Sequence, residues 1–558
     1  MNATEWMDDP RFNLDEYRDM DARIDMVTLT DCPLAVRRIV AEHDQDQEVL
    51  LALWKLKLND PQIDEFLNKN METSPADLDK AQTEAENAQV HKVWCSLPWT
   101  HASTNADGSI RMCCQMIHDN KQAPYGSVFK EDGSVLTADD DLRKHRNAEA
   151  WKDVRAKMIA GVDPEICKLC TLEENNGIGS KRTFTKKIHA NTFKRSLELT
   201  QEDGTIKDED FPISYYDLRF GNKCNLKCRS CGPTDSNLWY GDWYEAHKEE
   251  GGKFAMRGHD NLTIVKNDDG SYDVPDVFDW HEENNTTLWD NINEDMSKGV
   301  IDRFYFTGGE PTINLKHREL LDKAIEFDVA KNISLEYNTN MAGIPSKVFT
   351  QWKQFKNVGI GMSLDGMYEH FEYIRHPGKW SVVEKNIRRI ESEPGFEKVT
   401  ATISLTLSTM NVLHVLDMQW WAREQRWSRI SQAIKIANLY GPAYMNIQNL
   451  PPEAKKYIGE RYEQFIAAMH RRWNDSRKDI SIGFTIEQRL RAVLDHMNAV
   501  DQDPKAWKNW YVETEKYDKL RKEDWKETFP EIVELIKVAN DRQARKQKVK
   551  LTSAGKKK

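Results

Sequence analysis

Three cysteines within eight residues, Cys224-Asn-Leu-Lys-Cys228-Arg-Ser-Cys231, constrain this chain more than any other stretch. They follow directly on Tyr216-Asp-Leu-Arg-Phe-Gly-Asn-Lys, which reads as the end of a β-strand. Three thiolates in a short loop can bind three corners of a four-iron cluster, and no fourth cysteine lies nearby. One iron is then left for an exogenous ligand, the logic by which catalytic metal sites keep an open position. The chain has nine cysteines, at 32, 95, 113, 114, 167, 170, 224, 228 and 231. An odd count in a large chain with no basic-then-apolar leader argues against a disulfide framework. No apolar run approaches the roughly 18 residues of a membrane span. The chain is expected to be cytoplasmic. Its formal net charge of −12 argues against a generic nucleic-acid binder.

The second constellation is Phe306-Thr-Gly308-Gly309-Glu310-Pro311, at the end of another strand-like run. Two glycines let a ligand approach the backbone closely, and a carboxylate beside them can hold a cationic group. Strand-like and helix-like segments alternate from 213 to about 440. The strands are Ile213–Phe220, Arg303–Thr307, Ile333–Tyr337, Val358–Leu364, Val399–Leu407 and Gln432–Ala437. Between them, Val348, Trp352 and Phe355, then Val383, Ile387 and Ile390, then Val412, Leu416 and Trp420 fall at helical spacing, and Ser346 reads as an N-cap. This predicts an α/β fold with a partial (β/α)6, TIM-like barrel core, flanked by a small cysteine-bearing domain and a helical C-terminal region. The expected divisions are a helical, acidic region 1–90, a cysteine-rich domain 91–212, the core 213–445 and helices 446–558. Residues 233–300 are an insertion in the core, read as a lid or substrate-facing element or a surface decoration. In the last part Tyr457, Tyr462, Phe465 and Met469 are buried candidates, and the basic tail Arg542–Lys558 reads as a solvated, disordered end.

Together the Cys-x3-Cys-x2-Cys loop and the Gly-Gly-Glu-Pro turn resemble the radical S-adenosylmethionine (radical SAM) superfamily over roughly 213–440. The resemblance implies that Cys224, Cys228 and Cys231 bind a [4Fe–4S] cluster whose open iron is chelated by S-adenosylmethionine. Gly308, Gly309 and Glu310 would then sit against the methionine amino group. It also implies release of a 5′-deoxyadenosyl radical that abstracts a substrate hydrogen, the protein supplying orientation and exclusion of water. Tyr337-Asn-Thr339-Asn340 and Gly361-Met-Ser363-Leu-Asp365-Gly366 fit the same family, the latter like a segment of peptide-modifying members, with His370-Phe-Glu-Tyr-Ile-Arg375 continuing the match. Asn340, Ser363 and Asp365 are thereby implied in ribose or carboxylate contacts. Ser230 departs from the aromatic or large apolar residue usual before the third cysteine, so the adenine contact is sought at Trp239 or Tyr240.

Upstream, Trp94-Cys95-Ser-Leu-Pro-Trp99 precedes Asn105-Ala-Asp-Gly108 and Cys113-Cys114, and Cys167-Lys-Leu-Cys170 follows. Asn-Ala-Asp-Gly reads as a hairpin turn that brings Cys95 and Cys113 together, with Cys167 and Cys170 completing four ligands. Four thiolates suit structural zinc or an iron–sulfur cluster. The Cys-x12-Gly-x4-Cys and Cys-x2-Cys arrangement resembles the twitch domain, a short form of SPASM domains, which implies an auxiliary [4Fe–4S] cluster on Cys95, Cys113, Cys167 and Cys170. Twitch domains usually follow the core; here the motif precedes it. Cys114 and Cys32 are spare.

The resemblance implies a peptide or protein substrate, with a small molecule as the alternative, and an electron donor such as a flavodoxin or ferredoxin. A reading of another class is a zinc-stabilised binding protein that kept the fold and lost catalysis. No acid–base residue is nominated, although His101, His118, His247 and His281 stand in suggestive segments.

Overall fold

A computed structural model describes residues 89–555 of the chain, apart from 117–126, 176–178, 257–258, 276, 278–285 and 502. The chain divides into two compact units, Asp9–Lys92 and the remainder. Almost all of the first unit, with Cys32 and the expected helical region 1–90, lies outside the described residues, as do His118 and His281.

The strands run in the order β1 (His101–Thr104), β2 (Ile110–Arg111) and β3 (Tyr215–Arg219). Two small hairpins follow, β4 (Lys253–Met256) with β5 (His259–Thr263), and β6 (Val265–Lys266) with β7 (Tyr272–Asp273). Then come β8 (Arg303–Thr307), β9 (Ser334–Thr339), β10 (Asn357–Ser363), β11 (Val399–Leu407) and β12 (Lys435–Asn438). One eight-stranded sheet has the order β12-β11-β10-β9-β8-β3-β1-β2. From β3 to β12 each strand pairs parallel with the next of the six in sequence, as the strand–helix alternation predicts. All six predicted strands are present, two of them with the predicted bounds.

The two faces of this sheet differ. Phe304, Phe306, Leu335, Tyr337, Val358, Ile360, Met362, Ile403 and Leu405 point to one face and are buried. Helix Trp380–Ser392 buries Val383, Ile387 and Ile390, and helix Ser346–Trp352 buries Val348 and Trp352. Their neighbours Arg303, Tyr305, Thr307, Glu336, Gly361, Ser363, Thr402 and Ser404 point to the other face and are only half-buried. A parallel sheet covered on both sides reads as a continuous apolar run. Strict alternation instead leaves one polar face partly open to solvent. At the start of helix Ser346–Trp352 the cap position is held by Pro345, not Ser346. Proline's fixed φ and missing N–H suit a helix start, so Ser346 moves inside the first turn.

The cysteine-rich stretch is built onto this sheet. β1 pairs parallel with β3, His101 opposite Tyr215 and Ser103 opposite Asp217, and β2 closes the edge antiparallel. The expected division at 212 is therefore not a structural boundary, because ladder hydrogen bonds run across it. Residues 200–210 form a turn packed against the preceding helices. Gly204, at φ +84°, lies so close to helix Glu149–Ile159 that a Cβ would come within 2.0 Å of the Lys152 carbonyl oxygen. Arg155, fully buried, clamps the turn: it donates to the carbonyls of Gly204 (2.7 Å), Pro98 (3.2 Å) and Arg146 (2.8 Å) and to Asn147 Oδ1 (2.9 Å).

The insertion 233–300 forms helix Trp239–Ala246, the two hairpins and helix Thr287–Ser297, with its own small core of Tyr240, Phe254, Ile264 and Val274. The C-terminal region is helical as expected, over Pro452–Arg472, Arg477–Asn498, Pro504–Arg521, Trp525–Thr528 and Pro530–Gly555. Tyr462, Phe465 and Met469 are buried. Tyr457 is only half-buried, with the Arg542 guanidinium 5.7 Å from its ring centroid. Most of the basic tail expected to be disordered continues the last helix. Among the described residues no helix is long and apolar enough to cross a membrane.

Replacing Arg155 with Met strands four acceptors, three of them main-chain carbonyls. The unfolding free energy of the full chain is expected to fall by about 3 kcal/mol in urea denaturation. An unchanged midpoint would show that the clamp contributes nothing.

Candidate functional site

The three-cysteine loop leaves the carboxyl end of β3 and is held against the carboxyl end of β8. Gly308 (φ +76°) and Gly309 (φ +52°) make this contact possible. A Cβ on Gly309 would sit 2.2 Å from the Lys223 carbonyl oxygen, and one on Gly308 would sit 2.9 Å from Arg219 Cβ. The Glu310 backbone N–H donates to that same Lys223 carbonyl at 2.9 Å. The Glu310 side chain turns inward, 1% exposed. Its carboxylate accepts from Thr312 N (3.1 Å), Thr312 Oγ1 (2.6 Å), Thr339 Oγ1 (2.8 Å) and Asn340 N (2.7 Å). Burial pushes this carboxyl up, and the hydrogen bonds only partly offset it. The carboxylate expected to face a cationic group instead ties the end of β8 to the end of β9. Asn340 then reaches the loop, with Nδ2 donating to Asn225 Oδ1 at 2.7 Å and standing 3.9 Å from Cys224 Sγ.

Cys228 is buried, and Cys224 and Cys231 are half-buried. Burial pushes the Cys224 thiol up to about 12. Ser363 ends β10, half-buried, in register with Ser404. Asp365 is fully buried; its Oδ1 accepts from Thr406 N at 2.8 Å and its carboxylate pairs with Arg375 Nη2 at 2.8 Å. Arg375 Nη1 in turn stands 3.8 Å from Cys228 Sγ. Asp365 thus positions a cation beside the thiols. Arg375 stands in a motif the sequence singles out, but its role emerges only from this pairing.

The loop backbone is stitched to the next segment, Lys227 N to His376 O and Arg229 N to Ile374 O, both at 2.7 Å. Arg229 lies 4.3 Å over the Tyr373 ring and donates to Asp518 (2.5 Å) and Glu523 (2.6 Å) of the C-terminal region. Neither aromatic expected at the adenine is free for it. Trp239 donates to the Cys228 carbonyl at 3.0 Å, with Tyr517 edge-on and Arg521 4.5 Å over its ring. Tyr240 accepts from Asn222 at 2.7 Å and packs in the insertion's core. Both brace the loop.

The four upstream cysteines meet. Cys95, Cys113, Cys167 and Cys170 line one cavity, with about 440 Å³ of free space including its mouth. Met112, Met116, Met158, Lys181 and Arg182 also line it. The hairpin read from Asn105-Ala-Asp-Gly108 is the one that forms, with Gly108 at φ +79°. Cys114, next to Cys113, does not line the cavity. Burial pushes Cys95 up and holds Cys170 at about 11.

Among the described residues one group has three potential ligand atoms all within 4.8 Å, and it is His370, His414 and Glu531 rather than any cysteine triplet. The histidine group was not singled out by the sequence, being spread over three helices. Its rings stack at 3.8 Å; His414 Nε2 accepts from Met367 N at 3.1 Å, and His370 Nε2 meets Glu531 at 2.9 Å. Accepting a backbone N–H puts the proton of a neutral His414 on Nδ1, so neither ring nitrogen offers a free lone pair. Elsewhere, His101 is buried, held down to about 4 by desolvation, and meets the Met112 carbonyl at 2.8 Å. His247 stacks on Trp243.

No protein-family model and no curated protein matches the chain. Among solved structures it is similar to native anSMEcpe with bound AdoMet, at 18% identity and TM-score 0.28, over 47% of this chain and 60% of that one. It is also similar to Streptococcus suis SuiB bound to S-adenosylmethionine, at 14% identity and TM-score 0.29, over 54% of this chain and 57% of that one. For SuiB bound to precursor peptide SuiA the values are 14% and 0.29, over 58% and 64%.

Glu523 joins the loop to the C-terminal region, pairing with Arg229 and with His376 at 2.6 Å. Burial alone would push its carboxyl up, but these partners outweigh it and hold it below the usual value. A depressed carboxyl stabilises the fold above its unfolded pKa and loses that contribution as pH falls through its folded value. The stability difference between the native chain and Glu523→Gln should be full above about pH 5 and vanish below about pH 3 in thermal melts. A difference that persists in acid would contradict the pairing.

Proposed function

We propose that this chain is a radical SAM enzyme in which Cys224, Cys228 and Cys231 hold a [4Fe–4S] cluster with one open iron for S-adenosylmethionine. The observation that carries the reading is the docking of the three-thiol loop on the Gly308-Gly309-Glu310 turn, at the carboxyl ends of adjacent parallel strands. When bound, the cluster and S-adenosylmethionine supply a 5′-deoxyadenosyl radical that abstracts hydrogen from the substrate.

The chain's own residues hold and screen this chemistry. Gly308 and Gly309 let the turn pack against Lys223 and Arg219, which fixes the loop that carries the thiols. Asn340 and the Asp365–Arg375 pair fix polar groups beside the thiols, and Ser363 stands at the same rim. The strands β3 and β8 to β12 are read as the wall of a partial (β/α)6 barrel, whose half-open polar face receives the substrate. Trp239 and the helices Pro504–Arg521 and Trp525–Thr528 close the loop's outer side against water.

Cys95, Cys113, Cys167 and Cys170 are assigned to an auxiliary [4Fe–4S] cluster, supported by their shared cavity and by the likeness of their spacing to the twitch domain. The substrate is assigned as a peptide or protein, following the likeness of Ser363-Leu-Asp365-Gly366 to peptide-modifying members. The electron donor is assigned as a flavodoxin or ferredoxin.

Anaerobically reconstituted full-length protein is expected to hold about 8 iron per chain. Under reduction it should convert S-adenosylmethionine to 5′-deoxyadenosine. Cys228→Ala should abolish that cleavage and leave about 4 iron in place. Zinc without iron, or an intact cluster with no cleavage, would favour a metal-stabilised binding protein instead.

A further inference from the structure

One helix, Lys181–Ile188, supplies most of the polar groups aimed at the four-thiol cavity. Lys181 lines the cavity, and its Nζ donates to Tyr215 Oη at 2.6 Å while lying 5.0 Å over the Tyr215 ring and 5.2 Å over that of Tyr305. Among the described residues no carboxylate comes within ion-pair distance of it. Arg182 beside it is already balanced by Asp163 (2.7 Å) and Glu174 (2.9 Å), but its backbone N–H points to Cys170. Fully buried Thr185 places its hydroxyl 3.3 Å from Cys95 Sγ and 3.1 Å from the Arg182 carbonyl. Once a bound metal deprotonates Cys95, the charged sulfur becomes the stronger acceptor and draws that proton.

Around the other thiols, buried Glu310 acts on Cys224 and solvent-exposed Asp235 acts on Cys231. The nearby Arg375 is paired with Asp365.

Resting on the auxiliary-cluster reading above, we propose that Lys181 and Thr185 are positioning residues that raise the reduction potential of the cluster held by Cys95, Cys113, Cys167 and Cys170. Adding an electron to four thiolates and a cluster increases their negative charge. A half-buried ammonium at the cavity wall, acted on by buried Asp217 but in no ion pair with it, and a hydroxyl donating to sulfur stabilise the reduced form more than the oxidised one.

The test uses the full chain carrying Cys224→Ala, Cys228→Ala and Cys231→Ala, so that only the auxiliary centre reports. It is reconstituted anaerobically with iron and sulfide and titrated with dithionite, the reduced cluster being followed by electron paramagnetic resonance. Lys181→Gln and Thr185→Val should each move the midpoint to more negative potential with iron content unchanged. Lys181→Arg should restore it, and the double variant should shift further than either alone. An iron-loaded site whose midpoint moves in neither variant overturns the proposal while leaving the cluster reading intact. Loss of iron from both variants would make the helix a structural support and overturn it as well. Zinc in place of iron in the parent chain overturns both.

Discussion

The site depends on a buried carboxylate and a backbone contact that admits no side chain. Glu310 gathers four donors from β9 and the turn after β8, while Gly309 lies flat against the Lys223 carbonyl. A buried carboxylate without donors is costly, so these hydrogen bonds make the strand ends move as one body. Cys224 follows Lys223 directly, and its position is inherited from that contact. From the outer side the C-terminal helices lock the same loop through Arg229, Asp518 and Glu523. The three thiols are therefore held by residues up to about three hundred positions away in sequence.

The sheet explains why one face can serve chemistry. Its apolar side chains are taken up by the helices between strands. The alternate positions carry Arg303, Tyr305, Glu336 and Ser363, which would be unfavourable under a second helical layer. Polar positions thus line that side of the sheet.

Much of this was legible in the sequence. The six parallel strands, the hairpin at Asn105–Gly108 and the grouping of Cys95, Cys113, Cys167 and Cys170 follow from local periodicity, turn chemistry and spacing. What was not legible depends on long-range partners. Glu310 and Asp365 read as groups facing a ligand, yet each is turned inward, because Thr339 and Asn340 in one case and Arg375 in the other are available only once the strands align. Trp239 and Tyr240 likewise find their partners at Tyr517, Arg521 and Asn222. The expected boundary at 212 failed for the same reason: a composition shift marks a change in local texture, and a strand pairing from before to after it leaves no trace in composition.

That pairing has a consequence for chain order. A parallel segment encoded ahead of β3 adds to the sheet beside its first core strand, whereas one encoded after β12 has the far edge within easiest reach. Permuting the order of the two cysteine motifs would thus change the flank from which the second one is presented. With β1 hydrogen-bonded directly to β3, the spacing between the motifs is also set by the interstrand repeat, as rungs on a ladder, and not by the length of any tether.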